Sequence, residues 1–348
     1  MKEMVRYILK NRVLIFFLIS ILVITGCGKK NKKVEEKKEE VNTTEEVVEF
    51  KEEKKLQIFN TDSKSRPVAV MINNLPVAVP NHAGLQDAYI TYEIIVEGGI
   101  TRLMAVFRDV NPTKIGAIRS SRPYYLDYVL ENDAIYTHFG YSEEARMDIE
   151  SLGINNINGL YDNGFWRDTS LNVAYEHTAF NNMENILNEA RNKGYRMESN
   201  AGPLLNYSVD EVNLNEKDGN IVANNVSVRY SYGQTSSYSY DPNNRVYLRF
   251  SNGNPHTDGI TGIQYNYKNI LVLKIENYSL DGYLQKLANI GVGDGYYITN
   301  GYAIPIKWEK PSREGKTIYK DLSGNIISIN DGNTFIQIQP IYEELVIN

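Results

Sequence analysis

The stretch IGAIRSSRPYYLDYV, residues 115–129, sets Arg119 and Arg122 three residues apart where an apolar run gives way to an amphipathic one. Ser120 and Ser121 lie between them, and Pro123 suits the first turn of a helix. A strand-to-helix junction of this kind has the components of an anion notch. The first N–H groups of the helix lack partners, the helix dipole adds about 0.3–1 kcal/mol, and guanidiniums give bidentate contacts. The alternative is structural. Glu93 and Glu97, four apart on one strand, would face the same side and pair with the two arginines inside the protein. Both arrangements hold together if Glu97 sets the arginines in place.

Other polar residues belong to the same candidate cleft. VEGGITR joins Glu97 to Arg102 across a tight turn, as a cross-strand ion pair would. FWRDTS places Arg167 and Asp168 after Trp166, in a loop that either contacts a ligand or anchors packing. His138 in AIYTHFG and His177 in YEHTAF could join Arg119, Arg122 and Glu176, because strand ends and helix starts of one sheet converge. His256 and Asp258 form a His-x-Asp pair in NPHTDG, a histidine oriented by a carboxylate or two ligands of a weak metal site. Two ligands are too few for zinc, so no metal is expected. No G-x-S-x-G, H-E-x-x-H or Walker loop occurs, and GVGDG lacks the dinucleotide-binding spacing. No catalytic residue is therefore assigned and no cofactor is expected. A glycan-cutting pair of acids such as Glu93 and Glu97 stays open, since only their separation in space decides it.

These residues need elements to carry them. RPVAVMINN predicts a buried strand, YITYEIIVEGGITRLMAVFRDV a hairpin about Gly98 and Gly99, TKIGAIRS a strand, and AIYTHFGY another. RPYYLDYVLEND predicts a helix with Tyr125, Tyr128 and Val129 on one side. SEEARMDIESLG predicts one capped by Ser142 and stopped at Gly153, and TAFNNMENILNEARNKGY one capped by Thr178 and ended by Gly194. From Val226 onward the pattern is strand after strand between turn clusters, with one short helix expected at LDGYLQKLANI. The fold class expected is α+β: a mixed α/β layer domain over 66–200, a linker over 201–225, and a β-rich domain over 226–348.

The N-terminus states an address. Lys2, Arg6, Lys10 and Arg12 precede VLIFFLISILVIT, a run too short to span a membrane, and ITGC follows. Residues 1–26 are thus expected to be a lipoprotein signal peptide, with Cys27, the one cysteine of the chain, as the lipidated residue. Residues 27–65 are expected to be a charged disordered tether. Within 28–65, ten Lys face nine Glu and one Asp, with few apolar residues to bury. As a coil it would span roughly 35 Å. The leader holds four basic residues and one acid, so the remainder of a chain of net charge −6 carries −9. An acidic body placed outside the cytoplasm argues against nucleic acid as a partner.

RPVAVMINN, YEIIVEGGITRLMAVF, IGAIRSSRPYY, AIYTHFGYSEEA and YEHTAF, in this order behind ITGC, resemble the YerB-like bacterial lipoproteins. GNPHTDGITG, NILVL, GVGDGYYITNG and IKWEK are similar to the second part of that family. The resemblance covers nearly all residues after 66. It implies paired N- and C-terminal domains of unknown function on a membrane anchor, with no reaction attached. The function expected is a lipid-anchored binding or scaffolding module on the extracytoplasmic face of the cell membrane. Its partners would be envelope proteins or cell-wall polymer, engaged through Arg119 and Arg122. The alternative is an envelope hydrolase or transferase acting on glycan or peptide, using His138, His177 and Glu93 or Glu97.

Overall fold

Val68–Asn73 (β1) is buried at every position, which is what a strand covered on both faces requires. Its residues alternate between two cores. Val68, Val70 and Ile72 face one, while Ala69 and Met71 face the other. The structure is a computed structural model that describes residues 54–348 apart from Phe59 and Leu280. The expected signal peptide, Cys27 and the tether up to residue 53 lie outside the described residues.

β1 sits inside an eleven-stranded mixed sheet. Ile90–Ile95 (β2) and Thr101–Phe107 (β3) form the expected hairpin, and β3 pairs antiparallel with β1. The turn between them needs Gly98 and Gly99 at φ of 72° and 70°, where a side chain would be strained. Ile135–His138 (β4) and Asn156–Asn158 (β5) extend the sheet in parallel beyond β1. Pro123–Glu131 (α1) precedes β4, and Glu143–Ser151 (α2), capped by Ser142 Oγ accepting from Ala145 N, runs between β4 and β5. Met183–Asn192 (α3) starts later than expected. Asn182, not Thr178, is its cap, with Oδ1 accepting from Asn185 N at 2.7 Å. Residues Ala179–Asn181 are held extended instead, paired with Ile115–Gly116 and Trp166–Arg167.

The second family-like segment divides its strands between two sheets. Asn225–Ser231 (β6), Gln234–Asp241 (β7) and Val246–Ser251 (β8) form the centre of a smaller antiparallel sheet. Asn269–Ile275 (β9), Gly291–Thr299 (β10), Tyr302–Lys310 (β11) and Thr334–Pro340 (β12), however, continue the large one. The join is β12, parallel to β9 on one side and to β2 on the other, with Glu93 opposite Gln337. Residues 54–348, where described, accordingly form one compact unit. The stretch expected as a linker is woven in: Tyr207–Ser208 pairs with Ile329–Asn330, and Ile221–Val222 with Ala303 and Tyr302. Part of the expected tether is also fixed, with Gln57 N and Ile58 N donating to the Asp331 carboxylate. LDGYLQKLANI is not helical. Asp281 Oδ1 accepts from Tyr283 N and Leu284 N, a turn that leads into strand Gln285–Leu287. The fold is α+β, with more strand than the sequence pattern announces.

The smaller sheet covers one face of the large one. Its Val226, Val228, Tyr230, Tyr238 and Tyr247 pack with Val70, Ile72, Leu103, Phe107, Val272 and Phe335. α1 covers the other face, where Tyr125 and Tyr128 join Met71, Tyr92 and Met104. α1 is buried on nearly every side rather than along one stripe, because residues beyond 288 cover its outer face. Asp127 accepts from Asn289 and Arg313, and Glu131 from Lys310 and Thr317.

At the interface between the sheets lies a completely buried ion pair, Glu93 on β2 and Arg249 on β8, 3.0 Å apart. Glu93 Oε2 also accepts from Ser236 Oγ, and Oε1 from Thr101 Oγ1 and Asn74 Nδ2. A buried charge stripped of its partner is strongly destabilising, whereas removing both charges is much less so. We predict that Arg249→Ala lowers unfolding free energy by about 3–5 kcal/mol. Arg249→Met/Glu93→Gln should recover a large part of that in denaturant titrations. Equal losses in the single and double variants would contradict the pairing.

Candidate functional site

The carboxyl ends of β1, β4 and β5, at Asn73, His138 and Asn158, point toward one rim of the large sheet, the place where open α/β sheets bind ligands. Three of the sequence-derived arginines gather there, each tied differently. Arg122, the N-cap of α1, directs Nε at both oxygens of Glu97, at 2.7 and 2.9 Å, and donates Nη1 to Ser121 O. Arg102 donates to Ser120 O at 2.6 Å, not to Glu97. Arg119 donates Nη2 to Glu176 Oε1 at 3.0 Å and Nη1 to Glu176 O at 3.3 Å.

Glu93 and Glu97 do not share a face. β2 ends at Ile95 and the glycine turn carries Glu97 out toward Arg122, while Glu93 stays on the strand and faces Arg249. Glu93 is spent in the core, so a catalytic pair with Glu97 is not formed. Burial pushes the Glu97 carboxyl up, but the hydrogen bond and charge of Arg122 outweigh it and hold the group below its ordinary value. Burial and the like charge of Arg122 push Arg102 down to about 10, against the pull of Glu97.

Ser121 is fully buried, and its Oγ accepts from Tyr136 OH, which directs it into the core. Ser120 is half-buried beside Gly140. Arg167 lies between the rings of Phe139 and Tyr175, 4.3 and 4.2 Å from their centroids, and donates to Tyr175 O. Asp168 turns away to Lys114 at 2.6 Å; that bond and Ser170 draw its carboxyl down to about 2. Trp166 stacks on Phe180 as a packing group.

The histidines carry the least expected geometry. His256 is not oriented by Asp258, whose oxygens accept from Gly84 N, Ile260 N, Thr261 N and Tyr265 OH. It bonds instead to Arg249 and His82, in a string that crosses the protein. Arg249 Nη1 lies 2.5 Å from His256 Nδ1, His256 Nε2 lies 2.8 Å from His82 Nδ1, and His82 Nε2 lies 2.5 Å from Asn73 O. Asn73 Nδ2 then meets His177 Nδ1 at 2.8 Å. A guanidinium only donates and a carbonyl only accepts, so one assignment satisfies every link. His256 and His82 each accept at Nδ1 and donate from Nε2. His177 also accepts at Nδ1, from the Asn73 amide, which leaves the proton on Nε2, 3.8 Å from Glu176 Oε1.

His138 stands apart from this string. It is fully buried, with Nδ1 2.8 Å from Gly140 O and Nε2 3.2 Å from Asn156 Oδ1, two acceptors of which a neutral ring can donate to one. It and His177 are not brought into contact by any hydrogen bond or ring packing among the described residues. Arg249, His82, Asn73 and Ser236 were missed in the sequence. Only the paired occurrence of buried-strand arginine and loop histidine in RVYLRFSNGNPHTDG could have flagged Arg249. Among the described residues, no group of three or more His, Cys, Asp or Glu side chains is placed to hold a metal.

Loss of solvent drives the titration of the buried rings. Burial is the main cause that pushes His82 and His138 down to about 4, and burial with the Arg249 charge puts His256 well below 6.5. In the unfolded chain all three return to about 6.5, so between that value and about 4 the unfolded state binds more protons. Stability is therefore whole above pH 6.5 and is lost as pH falls toward 4. We predict an unfolding free energy on the order of 5 kcal/mol smaller at pH 5 than at pH 7, as about 1.4 kcal/mol per pH unit and per ring implies. Urea titrations at the two pH values test this, and equal stabilities would contradict neutral buried rings.

With the geometry in hand, comparison with known proteins is specific. Residues 56–196 match the family profile described as "Protein of unknown function (DUF3048) N-terminal domain", and residues 226–336 match the corresponding C-terminal domain. The chain is 30% identical over 278 residues to "Putative lipoprotein YerB" of Bacillus subtilis (strain 168), across 78% of this chain and 77% of that one. The crystal structure of YerB protein from Bacillus subtilis superposes with a TM-score of 0.72 at 29% identity, covering 82% of this chain and 94% of that one. The single sheet shared by both segments and the ordered sequence match lead to one conclusion: the chain belongs to the DUF3048 family of YerB-like proteins.

Proposed function

We propose that this protein is an extracytoplasmic lipoprotein, anchored to the cell membrane through Cys27, whose sheet-rim notch binds an anionic peptide or cell-wall polymer. The anchor is supported by the ITGC sequence and by a relative whose name includes the word lipoprotein. Among the described residues, no helix is long and apolar enough to cross a membrane. The binding role is carried by one observation, the charge imbalance at the rim. Among the described residues, Arg102, Arg119, Arg122 and the neighbouring Arg167 have only Glu97 and Glu176 as carboxylate partners. A surplus of guanidinium beside the carboxyl ends of parallel strands attracts an anion.

The hydrolase or transferase alternative draws less support. Of its expected components, Glu93, Glu97 and His138 are each committed to internal partners, and no hydrogen bond or ring contact joins His177 to His138 among the described residues.

The test is retention of anionic wall polymer and of wall-derived peptides by the full chain in detergent micelles, at low and moderate salt. Arg119→Ala and Arg167→Ala should each weaken retention by about tenfold, the loss expected for one charge-assisted hydrogen bond. Retention unchanged in both variants would contradict the notch.

A further inference from the structure

We propose that Arg119 and His177 form a two-donor receptor for a ligand's carboxylate group, and that the side chain of Glu176 is its resident stand-in. The inference rests on the anion-binding function above and narrows it to a carboxylate, such as the C-terminus of a peptide.

The two sides of this contact are built unequally. The donor side is constructed from the core. His177 is 7% exposed and Asn73 1%, and His82, His256 and Arg249 behind them are wholly buried. Through that string, His177 presents Nε2–H in a fixed direction, because Asn73 Nδ2 occupies Nδ1 and Leu75 N holds the other end of the Asn73 amide. Arg119 is anchored by its own backbone, with its N donating to Met71 O and its O accepting from Phe139 N. Among the described residues its buried Nε has no hydrogen-bond partner.

The acceptor side is not built. Glu176 lies on a three-residue turn, Tyr175–His177, and its side chain is 58% exposed. Among the described residues its carboxylate meets only Arg119 Nη2 at 3.0 Å and His177 Nε2 at 3.8 Å. A structural ion pair immobilises both partners. Here the donors are preorganised and the acid is a surface group that can swing into solvent. Apolar walls lie alongside: the Tyr175 ring is 68% exposed beside Arg167, and Leu160, 51% exposed, lies near Gly140 and Ser120. A peptide could seat its terminal carboxylate on Arg119 and His177 while its last side chain lies against these apolar surfaces. A tethered carboxylate competes at an effective concentration in the millimolar range, so removing its charge should unmask the receptor.

The experiment compares wild type with Glu176→Gln, as full chains in detergent micelles, by calorimetric titration. The probes are an N-acetylated dipeptide with a free C-terminal carboxylate, the same dipeptide as its C-terminal amide, and inorganic phosphate. Because Glu176 is exposed, the variant should melt at the wild-type temperature. The expected result is binding of the acid at least about tenfold tighter in Glu176→Gln, with the amide and phosphate binding weakly to both. Adding Arg119→Ala to Glu176→Gln should abolish the gain. Equal affinity of the acid for wild type and Glu176→Gln, equal binding of acid and amide, or preference for phosphate would overturn the proposal. If wild type retains anionic polymer through Arg119 yet Glu176→Gln gains nothing, the anion-binding function stands and the stand-in role falls. If neither variant binds any anion, both fall together.

Discussion

The buried pair of Glu93 and Arg249 is the constraint on which the arrangement of this protein rests. A carboxylate and a guanidinium with no exposure are tolerated when they are paired and most of their remaining atoms are hydrogen-bonded; of the guanidinium nitrogens only Arg249 Nε lacks a partner among the described residues. Satisfying Glu93 draws Thr101 and Asn74 from one segment of the chain and Ser236 and Arg249 from the other. Satisfying Arg249 brings in His256, which fixes His82, which holds the carbonyl of Asn73 at the end of β1. The demand for hydrogen-bond partners thus runs from the interface of two sheets to the rim where the arginines collect. No single link is unusual, but the direction of donation is imposed from the guanidinium outward.

This accounts for the occurrence of two family segments in one body. β12, from the second segment, is a central strand of a sheet whose other half belongs to the first, and it is parallel to both neighbours. A parallel strand in the middle of a sheet is buried on both faces, so either segment alone would expose apolar surface and unpaired backbone. The outer face of α1 makes the same point, since Asp127 and Glu131 find their partners beyond residue 288. The candidate notch is built by the first segment, but the string that orients His177 begins in the second.

What the sequence made legible was local. The hairpin about Gly98 and Gly99, the Pro123 start of α1 and the Ser142 cap of α2 are signalled within a few residues, and each is present. The Arg122–Glu97 contact was likewise within reach, 25 residues apart. Long-range pairing was not. Glu93 meets Arg249 across 156 residues, and no spacing rule announces which buried acid a distant arginine will choose. His-x-Asp suggested a couple, yet backbone N–H groups of its own loop captured Asp258 and left His256 to Arg249. Thr178 lost the cap of α3 because extended pairing of Ala179–Asn181 delayed the helix to Met183. The change in composition marks the two family segments, but it does not announce that strands of both join one sheet.

The most direct test of the account is the tautomeric state of the four histidine rings. Nitrogen-15 labelling of histidine alone gives a spectrum with few enough signals to assign by single substitutions. At neutral pH, His82, His177 and His256 should be neutral with the proton on Nε2, and His138 should be neutral. A charged ring at His82 or His256, or the proton on Nδ1 of either, would contradict the string and the route by which the core holds the rim.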